Sequence, residues 1–508
     1  MNGGCWLTSV DQPSGDEDLD LDRGEQRRVE VADDHPPEPS RRATTDEPHR
    51  RFSFAAPSLG AVTTFDVLLW AFIAAGMVLR LSNLDAMEFK EDEFTHMLGA
   101  YRAARDPWSA PLLAGGGTNP SPGVFFYQFL AMPVHLTRDP LWVARFIALV
   151  NVVAIPALFG LVRRFFTPRV ALTTTALFAT MPWMIIFSRK IWNPDLVLPF
   201  LIVTLWCLFS AMERYAPWKI AALAVSVALL SQLHLSVWLA LFPLVPLCLL
   251  LRPWRRPLAV AGGVLVFLAT FAVTLGGRMA EFLARFVDAY GQQPDMGMSQ
   301  LQLVAYNGAW SIRVPSGFGF GFLLGGGYES FMQQAIVPWT RIGFVAYAAL
   351  VGAGFVYALS GMVRTSRRSF ADLSDRFLLV LLLMVASAHA LYFVFRVAAH
   401  PHYHVVLSLL PPLLAALFLA WIAERFRKHG AVISRTLLVG VLIANVFFTF
   451  SFIDFVREKP ETIDGNYGEP YFVKQGRWTR ELAEAFGRID ATDRASVESL
   501  FERRGRTT

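Results

Sequence analysis

The sequence predicts an all-α polytopic membrane protein, and three observations carry that prediction. Of 508 residues, 54% are hydrophobic and only 17% charged, with a mean hydropathy of +0.40, a balance far from that of soluble chains. The apolar residues gather into runs, roughly eleven of which approach the ~20 residues that a helix needs to cross a bilayer. The charges gather between those runs. A net charge of +5 says little about partners, because the placement of Lys and Arg orients a membrane protein and their total does not. No nucleic-acid partner is implied. Cys5, Cys207 and Cys248 show no CxxC or metal-ligand spacing, so neither a disulfide nor a zinc site is expected.

Residues 1–58 form a tail whose first 51 residues are rich in Asp, Glu, Arg and Pro, too poor in aliphatic side chains to offset its ordering entropy. It reads as a disordered cytoplasmic tail. It also lacks the apolar core and cleavage site of a signal peptide, so the first apolar run, Val62 to Leu81, is expected to act as an uncleaved anchor. The following runs are Leu141 to Val162, Val170 to Phe187, Leu196 to Met212, Ile220 to Leu233, Val237 to Leu251, Leu258 to Leu275, Ile342 to Met362, Phe377 to Phe395, Val405 to Ala423 and Thr436 to Phe455. Residues 59–456 thus make the membrane domain. Residues 457–508 place Leu482, Phe486 and Ile489 on one helical face and read as a short extracytoplasmic amphipathic tail.

Ser121 to Leu136 decides the orientation of everything after it. It is shorter than a span and broken by prolines, and its aromatic cluster suits an interfacial helix. If it does not cross, the loops facing the N-terminal side hold Arg163, Arg164 and Arg169; Arg214 and Lys219; Arg252, Arg255 and Arg256; Arg364, Arg367, Arg368 and Arg376; and Arg425, Arg427, Lys428 and Arg435. Cytoplasmic loops collect Lys and Arg, so this arrangement places the N-terminus inside and the C-terminus outside.

Four segments then meet on the outer face. Residues 83–140 begin with NLDAMEFKEDEFTHMLGAY, whose charge density cannot lie in hydrocarbon; residues 188–195 read SRKIWNPD; residues 276–339 contain a glycine run; and residues 397–404 read VAAHPHYH. An acid pair, a basic pair beside another acid, a mobile loop and a histidine cluster share one membrane face. That convergence suits an interfacial active site.

At these residues the chain resembles a known family. DE in the first outer loop, PSPGVFFY where relatives often read PPL, WVARF opening the next span, an RRFF loop, and SR followed by D in the second outer loop look like the GT-C glycosyltransferases. The nearest branch holds the protein O-mannosyltransferases and the lipid A aminoarabinose transferases. The likeness covers about Val62 to Met212 and continues loosely through HYHVVLSLLPPLL. It implies a membrane enzyme that moves a sugar from a polyprenyl-phosphate carrier to a lipid, glycan or protein acceptor on the outer face of the plasma or inner membrane.

Such a reaction needs a carboxylate to take the acceptor's proton and donors to hold the departing phosphate. Asp92 matches the aspartate of the family's DE pair and is the expected base; Glu93 is expected to orient the acceptor or tune Asp92, and Glu91 extends the pair to a triplet. Arg189 and Lys190 are the expected phosphate ligands, with interfacial snorkelling as the plain alternative for Lys190. Asp195 matches the family's second acid, and it also suits a helix start after Asn193 and Pro194.

His402 and His404, with His400 and His389, invite a metal reading, but the HPHYH spacing is not a helical i, i+4 pair and no acid accompanies it. Neutral donors near phosphate or acceptor are preferred, with no cofactor required. The glycines from Gly317 to Gly327 lack the strand and helix of a nucleotide-binding turn and read as a flexible lid or substrate loop, and His234 reads as structural. The competing class is a lipid or sugar transporter or flippase. Such proteins carry internal repeats, and no second DE or SR..D pattern occurs here.

Overall fold

The computed structural model describes residues 63–109, 123–234, 236–238, 257–284, 297–366, 372–426 and 428–505. Among them every regular element is a helix, apart from an isolated antiparallel bridge between Glu88 and Pro470. In chain order the helices are α1 (Thr64–Leu81), α2 (Glu91–Arg105), α3 (Val124–Leu136), α4 (Pro140–Arg163), α5 (Pro168–Thr180), α6 (Pro182–Phe187), α7 (Val197–Glu213), α8 (Pro217–Ser231), α9 (Pro257–Leu275), α10 (Gln300–Ser316), α11 (Val337–Ser366), α12 (Leu373–Val394), α13 (Leu410–Arg425), α14 (Gly430–Glu458) and α15 (Tyr471–Gly505). Short helical turns at Gly321–Leu324 and Gly327–Met332 lie between α10 and α11.

Local chemistry explains the starts. Thr63 and Asp66 exchange side-chain and backbone hydrogen bonds at α1, and Asp139 and Thr167 cap α4 and α5, each followed by proline in the first turn. Seven described helices are long and apolar enough to cross a membrane, or eight if Pro401–Leu407 and α13, bent by 52°, form one broken span. α8 is shorter, with 15 residues. The expected run Val170 to Phe187 is divided: Met181 is extended and Pro182 starts a new helix, because proline removes a backbone donor and disfavours helical geometry in the residue before it. The expected run Val237 to Leu251 lies, beyond Trp238, outside the described residues.

α5 is the packing centre. It contacts α1 and α4 on one side and α13 and α14 on the other, and most of its residues are buried. Thr175 and Thr180 donate their hydroxyls to the carbonyls of Ala171 and Ala176, which satisfies these polar groups inside the core. α7, α8 and α9 continue outward from α4.

α3 has 13 residues, and at ~1.5 Å per residue such a helix falls well short of a ~30 Å hydrocarbon core. It pairs with α2, where a Cβ at Gly99 would overlap the ring of Tyr127. A topology with α3 lying in the interface predicts that Ser109→Cys and Asp139→Cys, in a background without native cysteines, react with an impermeant maleimide from the same side of the membrane. Labelling from opposite sides would make α3 a crossing and invert every later loop.

Candidate active site

The loop after α1, the first of the four expected on the outer face and numbered here in that order, is fastened before it reaches the acids. α1 ends at Leu81, Asn83 turns the chain with a left-handed φ of 47°, and Leu84–Ala86 forms a 3₁₀ turn. Arg189 reaches this turn from the second outer loop. Its Nη1 donates to the carbonyls of Leu79 (2.9 Å) and Ser82 (2.7 Å), and its Nη2 to that of Asn83 (2.7 Å). The first two are acceptors that the end of α1 leaves unpaired, and the Asn83 carbonyl also accepts from the Ala86 N–H of the next turn. Arg189, read from the sequence as a phosphate ligand, is buried here and clamps the end of α1. Arg80 is spent similarly, on the carbonyls of Gly76 and Ala179.

Residues 87–90 run extended into α2, and side chains two apart share a face of extended chain. Glu88 and Lys90 accordingly meet, Oε1 to Nζ at 2.5 Å. The other oxygen of Glu88 lies 2.7 Å from the Nζ of Lys190, whose ammonium sits 3.7 Å from the ring centroid of Trp192. Lys190, read from the sequence as a phosphate ligand or a snorkelling side chain, lies in a buried ion pair with Glu88. Glu88 was not among the expected residues, although the alternation in MEFK carried a signal for it.

The acids of α2 divide. Glu91 and Asp92 are exposed, whereas Glu93 is fully buried and accepts from the backbone N–H of Lys90 through Oε2 at 3.0 Å. Glu93 Oε1 has no hydrogen-bond partner among the described residues. Burial, aided by the charge of Glu88 and opposed by Lys190 and Lys90, pushes the Glu93 carboxyl up to about 8. His96, one turn on, is driven down to about 3 by burial and then by Lys190, so it is neutral.

The second and fourth outer loops close on the same region. Asp195 accepts from the backbone N–H of Trp192 at 3.1 Å and leaves Oδ1 without a partner among the described residues, while its carbonyl accepts from Asn151. His402 packs 4.5 Å from Trp192 and 5.4 Å from His234, centroid to centroid. His404 turns away, toward α10. Nδ1 of His389 lies 2.8 Å from the Val385 carbonyl and so carries the proton; its Nε2 accepts from the Ser311 hydroxyl, whose oxygen accepts from Nδ1 of His404. Among the described residues no group of three or more His, Cys, Asp or Glu side chains is arranged to hold a metal ion.

The glycine run 317–327, read from the sequence as a flexible lid or substrate loop, is packed down in the structure. Phe320 is buried, Trp183 donates to the Phe318 carbonyl at 2.7 Å, and the loop is stitched to residues 464–467. α10 also holds the histidine segment: Asn307 donates to the Val397 carbonyl and accepts from the Ala399 N–H. Neither Asn307 nor Ser311 stands in a recognisable motif. α15 packs on α2, with the rings of Tyr101 and Phe486 tilted by 33° at a centroid distance of 4.2 Å and the Tyr101 hydroxyl donating to Asp490.

The raised Glu93 carboxyl has a signed consequence for stability. Between its ordinary value of 4.5 and about 8 the folded chain holds a proton that the unfolded chain releases, so Glu93 makes the protein less stable as pH rises through that window and adds nothing further above it. Glu93→Gln should therefore gain melting temperature over wild type from pH 5 to pH 8 in detergent, and a pH-independent difference would place the shift elsewhere.

The model of the dolichyl-phosphate-mannose-protein mannosyltransferase family matches residues 120–276. No curated protein sequence matches the chain. Among solved structures, ArnT from Cupriavidus metallidurans in the apo state superposes with a TM-score of 0.50 at 15% identity, over 79% of this chain and 78% of that one. The archaeal oligosaccharyltransferase AglB from Archaeoglobus fulgidus, in complex with an inhibitory peptide and a dolichol-phosphate, gives 0.46 at 13% identity over 77% of this chain, which spans only 56% of AglB. The S. cerevisiae protein O-mannosyltransferase Pmt1-Pmt2 complex bound to the sugar donor gives 0.31 at 17% identity, over 46% of this chain and 34% of that one. The family match and the ArnT superposition agree with the resemblance carried by the outer-loop motifs, and the chain is an integral membrane protein with the GT-C fold.

Proposed function

We propose that the chain is a membrane glycosyltransferase that moves a sugar from a polyprenyl-phosphate carrier to the hydroxyl of an envelope glycan, lipid or protein, on the extracytoplasmic face of the cell membrane. The observation that carries this reading is the division of the DE pair: an exposed Asp92 beside a buried, proton-holding Glu93, at the junction where two lysines and the second and fourth outer loops converge. Asp92 takes the proton of the acceptor hydroxyl, the freed oxygen attacks the anomeric carbon, and the bond to the phosphate oxygen breaks with its electron pair leaving on the phosphate. A single displacement of this kind inverts the anomeric configuration. Glu93 sits next to the base without competing for the proton, since burial keeps its own proton in place.

Lys190 and His402 are the substrate-side groups in this reading, with Asp195 and His404 behind them. ArnT has been solved with undecaprenyl phosphate bound and AglB with a dolichol-phosphate, which supports a lipid phosphate as the donor's leaving group here. The rim also suits such a donor: α4 carries the exposed Trp142 in its first turn, an apolar ring with a polar edge that favours the membrane interface.

Asp92→Asn preserves size and much of the hydrogen bonding while removing basicity, so turnover should fall by about 10²-fold or more with donor affinity little changed. Glu91→Gln should be milder. If Asp92→Asn transfers normally while Glu93→Gln does not, the base is Glu93; if none of the three acids matters, the transferase reading fails and a transporter becomes the better account. Activity should also survive a chelator, whereas loss with chelator and return with a divalent cation would assign the acids to a metal.

Arg189 and Lys190 should separate in a second experiment. Arg189→Ala leaves the Leu79 and Ser82 carbonyls without the guanidinium and the Asn83 carbonyl with the Ala86 N–H alone, and should cost on the order of 3 kcal/mol of stability, while Lys190→Ala should act mainly on donor binding. Weaker donor binding by a stable Arg189→Ala protein would return the arginine to the phosphate.

A further inference from the structure

The turn from Asp464 to Tyr471, between α14 and α15, lies between two outer loops and hydrogen-bonds to both. On one side Tyr467 donates its hydroxyl to the Ala86 carbonyl at 2.5 Å, Tyr471 N–H donates to Met87, and Phe89 N–H donates to Glu469. On the other side Asn466 and Tyr467 donate their N–H groups to Phe322 and Leu323, and Gly326 N–H donates to the Asp464 carboxylate. The fit is close: a Cβ at Gly465 would overlap the backbone of Gly325 and Leu323. At its far end Gly468, with φ of 65°, lies against the aliphatic stem of Lys90, and the Asn466 carbonyl accepts from Lys90 Nζ at 2.8 Å.

Lys90 stands apart from the other cations around the acids. Arg80 and Arg189 are spent on backbone carbonyls, and the Lys190 side chain is only 4% exposed. The Lys90 side chain is 32% exposed and two residues from the exposed Asp92. An ammonium has three N–H donors; one goes to the Asn466 carbonyl and the Glu88 carboxylate pairs with the charge at 2.5 Å, which holds the ammonium from two sides and leaves donor capacity on its exposed side. We propose that the turn 464–471 is a positioning element of the catalytic site, which sets Lys90 between Glu88 and the Asn466 carbonyl so that its remaining donor binds the phosphate of the lipid carrier. The proposal rests on the transferase reading above, and it makes a segment that follows the last long apolar helix part of the donor site.

The test titrates the full chain in nanodiscs with undecaprenyl phosphate, with undecaprenol and inorganic phosphate as parallel arms. Wild type should bind undecaprenyl phosphate more tightly than either. Lys90→Met should weaken that binding by about tenfold or more, with Lys90→Arg restoring part of it, because the lost contact is charge-assisted. Tyr467→Phe, which removes one hydroxyl and should fold, should weaken binding about threefold or more in the Lys90 background and not at all in the Lys90→Met background, since a positioning group acts only through the group it positions. Unchanged binding by Lys90→Met, or equal effects of Tyr467→Phe in both backgrounds, overturns the proposal and leaves the transferase reading standing. Equal affinity for inorganic phosphate also overturns it, as a free-anion site. Failure of wild type to prefer undecaprenyl phosphate over undecaprenol sinks the transferase reading itself.

Discussion

A carboxylate buried at 1% exposure sets the terms for this site. Removing Glu88 from water costs far more than any single contact returns, and the cost is met only because both of its oxygens face an ammonium, Lys90 at 2.5 Å and Lys190 at 2.7 Å. Those lysines belong to the first and second outer loops. The ion pair therefore fixes the distance between two segments that are far apart in sequence, and it forces a choice on the neighbouring acid. Buried away from water, and next to the charge of Glu88, the Glu93 carboxyl is pushed up despite the two lysines, and the exposed Asp92 is left as the acid open to solvent.

Around that pair the backbone is held by side chains that a sequence reader would assign to chemistry. Arg189 looks like a phosphate ligand, yet the end of α1 leaves the carbonyls of Leu79 and Ser82 without a partner in the helix, and a planar guanidinium with several donors reaches both and that of Asn83 at once. Asn307 does comparable service for residues 397–399, and the relay through Ser311 fixes the tautomers of His389 and His404. The polar groups near the site thus fall into two sets, those that hold loops in place and those that remain available. Asp92 is exposed and belongs to the second, while Lys90, partly exposed, does both.

The membrane-embedded part explains why such a site persists. α5 packs against four helices and leaves the outer loops anchored at both ends on a dense core. Its threonines bond back to their own helix, so burial leaves few polar demands inside it. The outer loops then owe their shape to one another: the turn 464–471 joins residues 86–90 to residues 322–326, making one layer of three segments.

The sequence by itself determined the class of the protein, most of its spans and the identity of the segments that meet at the site, because hydrocarbon imposes length and polarity on every crossing and charge must collect between crossings. The short motifs DE and SR..D carried the fold, and the superposition on ArnT agrees with them. Only the tertiary structure decided which member of each motif is exposed. Asp92 and Glu93 are adjacent and chemically alike, and a helix turns them 100° apart, so packing alone separates the open acid from the buried one. It also decided that Arg189 serves the backbone, that the glycine run is stitched down, and that residues 464–471 lie against Lys90. Hydrogen bonds to backbone carbonyls leave no trace in residue identity, and contacts across several hundred residues have no local pattern to announce them.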